Sequence, residues 1–319
     1  MKNEYLVSVV LCTYNGEKYL EEQLNSILNQ TYKNIEIIIS DDCSTDNTLE
    51  ILEKYRYLEN FHIFLNKENL GFNKNFELAI SKANGYFIAL CDQDDLWELD
   101  KIEILVSSID ENSLVYANSM LVDENLKSLN KTLEEKLKVN FISSNSMLSF
   151  IFGNCVSAHA MMFKKEMVSV FNFPKNIYFD QYIAMVCASK NGVKYIDRNL
   201  VFYRQHSNNT LAQNGVKKRK SIFHKIKTKL EKKVKDNEDL KNIVKVMKDI
   251  PTIKKDEKII LDEYTICLNQ FMDRYFNLKL FFLLYKNRKL FFSMSKKSSF
   301  KQSFNKSIGY KLYKVLPLL

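Results

Sequence analysis

The chain has 319 residues, 46% of them hydrophobic, which is enough to build one large domain with an appendage, or two domains. It contains only seven Gly and three Pro, and its six cysteines form no C-x-x-C pair, so a low-complexity protein, a zinc site and a disulfide framework are not expected. The net charge of +9 is divided unevenly, because residues 1–215 hold 20 basic and 28 acidic side chains whereas residues 216–319 hold 27 basic and 10 acidic ones. No apolar run reaches the roughly 18 residues that a membrane-spanning helix needs.

The chain opens with a strand, a loop and a helix. The N-terminal residues lack the apolar core and cleavage site of a signal peptide, so a location on the cytoplasmic side is expected. Residues 7–12 are a continuous apolar run typical of a buried strand, and the polar segment 13–16 predicts a turn. Residues 17–30 then have apolar side chains at helical spacing.

Two predicted strands end in clustered carboxylates. Residues 35–39 are followed by Asp41 and Asp42, and the apolar run 87–91 is followed by three carboxylates within four residues. Alternating strand and helix patterns predict an α/β fold with a mainly parallel sheet, so these carboxylates are expected to meet in the crevice at one edge of that sheet. A divalent cation would compensate their repulsion; a solvated turn capping the next helix is the alternative. The three carboxylates after the second run are Asp92, Asp94 and Asp95.

The remainder of residues 1–215 continues the alternation less regularly. Residues 124–142 give no clear pattern, and a helix is predicted to begin near Ser143 to Ser146. Asp180 falls in the first turn of a predicted helix. The other predicted strands are 61–65, 114–123, 154–163, 193–196 and 200–203, and the other predicted helices lie near 48–55, 75–83, 98–109 and 179–186.

Residues 216–319 have Lys-rich helical patterns without strand signals, interrupted at Pro251. Within residues 277–294, Phe and Leu are interleaved with Lys and Arg. Such a basic amphipathic pattern suits an anionic membrane surface. A helical bundle that packs on the first part of the chain, with its lysines solvated, is an equally open and compatible interpretation.

Eight short features follow one another in residues 5–212. They are Val-Ser-Val-Val-Leu-Cys-Thr-Tyr-Asn-Gly at 7–16, Leu-Asn-Gln-Thr-Tyr at 28–32, Ser-Asp-Asp-Cys-Ser-Thr-Asp at 40–46, Asn-Leu-Gly-Phe-Asn-Lys-Asn-Phe at 69–76, Cys-Asp-Gln-Asp-Asp-Leu-Trp at 91–97, Met-Met-Phe at 161–163, Asp180, and Tyr-Arg-Gln-His-Ser-Asn-Asn at 203–209. In this order they resemble the family 2 glycosyltransferases, in particular the rhamnosyltransferase-like subgroup. Residues 216–319 lie outside the motifs that carry this resemblance.

The resemblance implies a GT-A fold, a Rossmann-like sheet flanked by helices, over residues 1–215, with a basic helical region over 216–319. It also implies inverting transfer of a sugar from a UDP-, dTDP- or GDP-linked donor, with Mg²⁺ or Mn²⁺ as cofactor. In such enzymes the residues after the first strand and at the second strand end hold the nucleotide base and ribose. By this likeness the candidate donor-binding residues are Thr13, Tyr14, Asn15 and Asp42.

The remaining site residues are assigned by the same resemblance. Asp94, Asp95 and His206 are the candidate cation ligands, with Asp94 the first choice, and Asp92 and Arg204 are candidate contacts to the donor. Asp180 occupies the position of the general base, which would take the proton from an acceptor hydroxyl; a pKa raised by aromatic neighbours would suit this task. Ala158-His159-Ala160 departs from the Gly-Cys-Thr-like segment of relatives, and because that loop borders the acceptor site in the family, the acceptor is not transferable to this chain.

The leading hypothesis is an enzyme that adds a sugar to a cell-surface glycan or a lipid-linked acceptor at the inner face of the membrane, held there as a peripheral protein. One alternative is a non-catalytic GT-A-like scaffold recruited to membrane through its basic C-terminal region. A nucleic-acid-binding role for that region is less favoured, because its aromatic residues are grouped with Leu at helical spacing instead of being spread as stacking platforms.

Overall fold

The computed structural model describes residues 5–175, 177–206 and 222–315. In these ranges nine strands form a single sheet. The strands are β1 (Val7–Thr13), β2 (Ile35–Asp41), β3 (Phe61–Leu65), β4 (Phe87–Cys91), β5 (Leu96–Trp97), β6 (Leu114–Val122), β7 (Ser128–Thr132), β8 (Met161–Lys164) and β9 (Val193–Arg204). Their order across the sheet is β3-β2-β1-β4-β8-β6-β9-β5, and β7 pairs with β6 beside this path.

The first four strands of this order are parallel, which confirms the predicted α/β class. β8 is antiparallel to both β4 and β6, β9 is parallel to β6, and β5 closes the edge antiparallel to β9. The register pairs Thr13 with Asp41, and Leu11 with Cys91. The carboxyl ends of β1, β2 and β4 therefore lie side by side at one edge.

Six helices of the first 206 residues cover both faces of the sheet. Because side chains alternate along a strand, Val9 of β1 belongs to one apolar cluster and Val10 to another. α1, α2 and α4 pack on the first face, and α3, α5 and α6 contribute to the cluster on the second. The helices are α1 (Leu20–Leu28), α2 (Thr48–Glu53), α3 (Phe72–Ser81), α4 (Lys101–Ser108), α5 (Leu133–Leu137) and α6 (Phe179–Lys190).

Three local predictions need correction. The two short strands predicted at 193–196 and 200–203 are one strand, β9, whose register against β6 shifts around Asn118. The helix predicted to begin near Ser143 to Ser146 is only a 3-10 turn, Met147–Phe150. The unassigned segment 124–142 contains β7 and α5. The run predicted as extended, 154–163, forms a strand only at β8, after a 3-10 turn at Ala158–Ala160. In each case contacts with distant elements override the local pattern.

The C-terminal region is helical, as predicted. Pro251 follows the end of the first long helix, because proline lacks the N–H that a helix interior requires. The predicted boundary after residue 215 lies outside the described residues. The helices are α7 (Ile222–Asp249), α8 (Lys255–Asn269), α9 (Leu278–Lys286), α10 (Arg288–Phe291), α11 (Ser299–Ser307) and α12 (Tyr310–Val315).

This helical region packs directly on the sheet domain. Leu261 and Tyr264 of α8 and Leu284 of α9 belong to the same apolar cluster as Phe150 and the inner face of α6. The ring of Phe152 contacts Tyr264, with ring centroids 6.3 Å apart. Packing on the first domain, one of the two interpretations of this region, is thus observed. Within the described ranges no helix is both long and apolar enough to cross a bilayer.

Candidate active site

The crevice floor at the ends of β1 and β2 is held by hydrogen bonds among its own residues. The Thr13 hydroxyl donates to Asp41 at 2.7 Å, and Asp41 also accepts from the backbone N–H of Ser44 at 2.9 Å. Asn15, in the left-handed region at φ 49°, accepts from the N–H of Thr45 at 2.8 Å. Thr13 is buried. Asn15, by contrast, is exposed at the crevice, and for both residues the contact with the donor stays a prediction.

Asp42 organises the loop before α3. Its carboxylate accepts from the backbone N–H groups of Leu70 and Gly71, at 2.8 and 2.9 Å, and from the side chain of Asn66 at 2.9 Å. A carboxylate offers about four acceptor positions, so these three bonds leave room for one further donor. The geometry is compatible with the predicted contact of Asp42 to a nucleotide base, although the residue is mostly buried.

Tyr14 is tied to the acidic loop after β4 through Gln93. The Tyr14 N–H donates to the Gln93 side-chain oxygen at 2.9 Å, and the Gln93 amide donates to the Tyr14 carbonyl at 3.1 Å. This two-bond link fixes the β1 loop against the Asp92-to-Asp95 loop. The Tyr14 ring is 49% exposed, so it is available for stacking on a planar ligand.

Asp94 and His206 form a pair at the mouth of the crevice. The Nε2 of His206 lies 2.8 Å from an Asp94 carboxylate oxygen. Burial, together with the charge of Asp92, raises the pKa of Asp94, while the contact with His206 opposes that change. Two residues 112 positions apart in the chain, both predicted as cation ligands, thus meet.

Arg204 supports the acidic loop from within. Its guanidinium donates to the backbone carbonyls of Asp94 at 2.8 Å and Glu124 at 2.7 Å, pairs with Glu22 and packs on the Tyr19 ring. The side chain is 1% exposed. In this structure the guanidinium holds the acidic loop through the Asp94 carbonyl, and its contact with the donor stays a prediction.

A cluster of Asp92, Asp95 and His159 adjoins this loop. The Nδ1 of His159 lies 3.6 Å from Asp92 and 3.8 Å from Asp95, and one atom of each residue falls within 4.8 Å of the others. Burial, with the charges of Asp94 and Asp92, raises the pKa of Asp95 well above its usual range. The 3-10 turn at Ala158–Ala160 brings His159 here, so the loop assigned to the acceptor side contacts the acidic loop.

No local signal predicted this role of His159. It is a single histidine between two alanines before an apolar strand, and only the pairing of β8 with β4 places it beside the acidic loop.

Lys101 is fully buried next to His159, donates to the His159 carbonyl at 2.6 Å and lies over the Trp97 ring. Burial lowers the pKa of Lys101 to about 7, although the neighbouring Cys91 and Asp95 oppose that change.

Asp180 lies at the start of α6, within electrostatic range of Asp92. Phe179 anchors the helix start by stacking on Phe76 of α3, with ring centroids 4.7 Å apart. Burial raises the pKa of Asp180 to about 6; an N–H from Gln181 at 2.6 Å opposes this, and the charge of Asp92 reinforces it. A carboxyl with such a pKa is suited to general-base chemistry near neutral pH. Of its aromatic neighbours in the chain, Phe179 and Tyr182 are buried, whereas Tyr178 is 67% exposed.

The site thus combines a stacking aromatic residue, a set of carboxylates with two imidazoles, and a separate carboxyl of raised pKa. Asp92, Asp94 and Asp95 follow β4 at the predicted sheet edge, His206 contacts Asp94, and Asp180 lies within electrostatic range of Asp92. Strongly perturbed carboxyls in one crevice are typical of a catalytic centre.

Comparison with known proteins identifies relatives of this chain. The family model described as "Glycosyl transferase family 2" matches residues 8–170. A Haemophilus influenzae protein described as an uncharacterized glycosyltransferase is 30% identical over 292 residues, covering 83% of this chain and 90% of that protein. Since residues 1–215 are about two thirds of the chain, this similarity extends into the C-terminal region, beyond the motifs of the sequence analysis.

Two further matches are a curated relative and a solved structure. The dTDP-rhamnosyl transferase RfbG of Shigella flexneri is 33% identical over 221 residues, covering 64% of this chain and 74% of RfbG. The crystal structure of Staphylococcus aureus TarS 1–349 with UDP-GlcNAc superposes with a TM-score of 0.58 at 20% identity, covering 89% of this chain and 81% of that one. This likeness confirms the predicted GT-A fold.

Proposed function

Because this chain belongs to the family 2 glycosyltransferases, we propose that it moves a sugar from a nucleoside diphosphate donor to a hydroxyl of a cell-surface glycan or lipid-linked acceptor, with inversion at the anomeric carbon. The observation that carries the proposal is the placement of Asp180, a carboxyl with a pKa of about 6, beside a crevice lined by Asp92 and Asp94. Support for the donor class comes from the names of the relatives, one a dTDP-rhamnosyl transferase and one bound to UDP-GlcNAc.

In the proposed reaction, Asp180 accepts the proton of the acceptor hydroxyl while that oxygen attacks the anomeric carbon. The new glycosidic C–O bond forms as the bond to the diphosphate oxygen breaks on the opposite face, and the electron pair leaves with the nucleoside diphosphate. A single displacement of this kind inverts the anomeric centre. Tyr14 stacks on the base and Asp42 accepts one hydrogen bond from it, while Asn15 lines the same end of the crevice.

Mg²⁺ or Mn²⁺ is proposed as the cofactor, with Asp94, Asp95 and His206 as its ligands and Asp94 as the first choice. The residues present fit a divalent cation, because three carboxylates crowd together. Burial and the charge of Asp92 raise the pKa of Asp94, and burial with the charges of Asp94 and Asp92 raises the pKa of Asp95. When bound, such a cation screens the diphosphate and stabilises the leaving group. Asp92, partly exposed on the same loop, is proposed to contact the donor itself.

The test of the proposal is donor binding by the full chain. We expect isothermal titration to show binding of at least one of UDP, dTDP and GDP, and tighter binding with Mn²⁺ than with a chelator. A screen of the corresponding nucleotide sugars for hydrolysis then identifies the donor. If none of the three nucleotides binds under either condition, the proposed function is wrong.

The scaffold alternative is not favoured. It requires a degenerate site, yet the predicted acidic residues are all present and the crevice brings them together with a base of suitable pKa. The named relatives are also described as glycosyltransferases. Transfer of sugar by the purified chain would separate the two hypotheses directly.

We also propose that the helical region holds the enzyme on an anionic membrane surface. Among the described residues, nine large hydrophobic side chains between 259 and 304 are exposed, including Phe282 at 59% and Phe300 at 55%. Phe281 contacts both of these rings and so joins them into one patch, and Tyr285 contacts Phe281 and Phe300. Exposed lysines border the patch, a combination suited to insertion of rings among anionic headgroups. These lysines are Lys279, Lys286, Lys289 and Lys301.

We expect the double variant Phe282→Glu/Phe300→Glu to bind phosphatidylglycerol-containing vesicles at least about tenfold more weakly than wild type, because each exposed ring contributes roughly 1–3 kcal/mol when buried. Vesicle sedimentation measures this. Tyr57→Glu is the matched control. Tyr57 is 80% exposed, and it lies on the α2–β3 connection, far from the patch in the sequence. Equal sedimentation of the double variant and wild type would argue against membrane docking through this surface.

A further inference from the structure

We propose that Asn154 positions the Asp180 carboxylate for proton transfer, and that the C-terminal helices hold the segment that carries Asn154, residues 146–154. Because Asp180 is the base of the proposed reaction, this role rests on the proposed function. Three sets of contacts support it: those of the Asn154 side chain, those of the start of α6, and those between residues 146–154 and the C-terminal helices.

The side chain of Asn154 is fixed by its own loop and reaches Asp180. Its Oδ1 accepts the backbone N–H of Val156 at 3.1 Å, and its Nδ2 donates to the Val156 carbonyl at 2.7 Å. The same side chain makes a hydrogen bond with the Asp180 carboxylate. Since an ionised carboxylate only accepts, this bond uses the second N–H of the amide. Burial raises the pKa of Asp180 to about 6, and the bond from Asn154 opposes that change because it favours the ionised form.

A second hydrogen bond links the start of α6 to the same segment. The Gln181 side chain donates to the Phe150 carbonyl at 2.7 Å, and the Gln181 backbone N–H donates to Asp180 at 2.6 Å. Residues 180 and 181 are therefore each bonded to residues 150–154. The position of the Asp180 carboxylate thus depends on where this segment lies.

The C-terminal helices contact Phe152, which lies between these two bonding positions. Its ring stacks on Phe292, with centroids 5.5 Å apart, and lies 5.7 Å from the ring of Phe291. The ammonium group of Lys306 is 3.7 Å from the centre of the Phe152 ring. A cation over an aromatic face adds electrostatic attraction to the ring packing. Residues from α10 to α11 therefore hold the middle of the segment.

Helix α8 holds the other end of the segment. The Ser146 hydroxyl donates to the Glu257 carboxylate, and its oxygen accepts the backbone N–H of Leu148 at 3.3 Å, where the 3-10 turn begins. Ser146 is 4% exposed and Glu257 is 2% exposed. A hydrogen bond between two buried groups is shielded from competition with water. The segment is thus attached to the C-terminal helices at two points and to the start of α6 at two more.

Titration of Asp180 in the full chain tests the contact without any substrate. Carbon-13 NMR of aspartate-labelled protein follows the carboxyl groups, and the Asp180 signal is the one lost in Asp180→Asn. We expect Asn154→Ala to raise the midpoint of Asp180 by about 0.5–1 pH unit, because the lost donor favours the ionised form. Asn154→Asp keeps an acceptor for the Val156 N–H but places a second carboxylate beside the base, so its midpoint should rise further.

Turnover separates positioning from a merely structural role. The donor is whichever of UDP-GlcNAc, dTDP-rhamnose and GDP-mannose the wild type hydrolyses. On the plateau of the pH profile, Asn154→Ala should lower kcat about tenfold or more while the Kd of the nucleotide stays unchanged. Phe152→Ala should lower kcat and raise the Asp180 midpoint in the same direction, since it frees the segment from the C-terminal helices.

Asn60→Ala is the matched control. The Asn60 side chain also donates to a backbone carbonyl, that of Ile35 at 3.0 Å, but it lies at the end of β2 opposite the crevice. This variant should keep the wild-type kcat and the wild-type midpoint of Asp180.

An Asp180 midpoint that stays near 6 in both Asn154 variants would overturn the inference, as would a plateau kcat equal to that of wild type in both. If Asn154→Ala fails to fold, Asn154→Asp decides. Wild-type kcat and midpoint in Phe152→Ala would overturn the role of the C-terminal helices. A wild type that binds no nucleotide would refute the proposed function, whereas the NMR titration would still show whether Asn154 acts on Asp180.

Discussion

Replacement of Asp180 by Asn is expected to lower the turnover of sugar transfer by about 10²–10⁴-fold, the usual contribution of a general base, or roughly 3–5 kcal/mol of barrier. Asn keeps the size of the side chain and can still accept the 2.6 Å hydrogen bond from Gln181, so the start of α6 should be preserved. Binding of the nucleotide donor, measured by calorimetry, should change little, because Asp180 is assigned to the acceptor hydroxyl.

The pH profile gives an independent measure of the same role. Burial raises the pKa of Asp180 to about 6 from an ordinary value of 3.8, so the base is protonated and inactive below pH 6. The logarithm of kcat/KM should therefore rise with pH up to about 6 and then level off, and this limb should be absent in Asp180→Asn. A limb near pH 4 in the wild type would contradict the assignment.

Asp110→Asn is a suitable control for this variant. Asp110 is exposed, pairs with Lys194 on the surface, and has a φ of 46°, which Asn also tolerates. Its turnover should match that of wild type. If Asp180→Asn retained full activity in the same assay, Asp180 would be excluded as the base.

Replacement of Asp94 by Asn is expected to weaken Mn²⁺-dependent binding of the nucleotide by on the order of a hundredfold. The change removes one negative charge and one strong oxygen ligand, and it also alters the 2.8 Å contact with His206. Calorimetric titration of the donor nucleotide with and without Mn²⁺ separates loss of metal-dependent binding from loss of binding in general.

Asp100→Asn is the matched control, because it makes the same substitution shortly after the acidic loop in the chain. Asp100 is 46% exposed and its nearest cationic partner is Arg198, at 3.5 Å. This variant should keep the full effect of Mn²⁺. An Asp94→Asn chain in which Mn²⁺ still strengthened nucleotide binding as in wild type would show that the cation is held by other residues.

The two substitutions probe different steps of the proposed reaction. Loss of turnover with normal nucleotide binding in one variant, and loss of metal-dependent binding in the other, would divide the site into a base and a leaving-group anchor. Asp94 and Asp180 are far apart in the chain, so only folding brings their side chains to the same crevice.

Much of the fold could be predicted because its determinants are local. The apolar runs 7–12, 35–39 and 87–91 need no partner to be recognised as buried strands, and their spacing by helical patterns predicts a parallel sheet. The carboxylates at the strand ends follow from the same argument, since parallel strands end at one edge. Short elements such as β5 and the 3-10 turns were missed because they exist only through pairing with distant segments.

The sequence by itself determined the α/β class and the resemblance to the family, because strand periodicity and ordered motifs are properties of short segments. That Asp92, Asp94, Asp180 and His206 share one crevice is what the resemblance implies. Only the tertiary structure decided which side chains face that crevice. Arg204 is turned inward by carbonyls and a carboxylate from three distant segments, and His159 is carried to the acidic loop by the β4–β8 pairing. Side-chain direction depends on contacts far apart in the chain, which no local pattern contains.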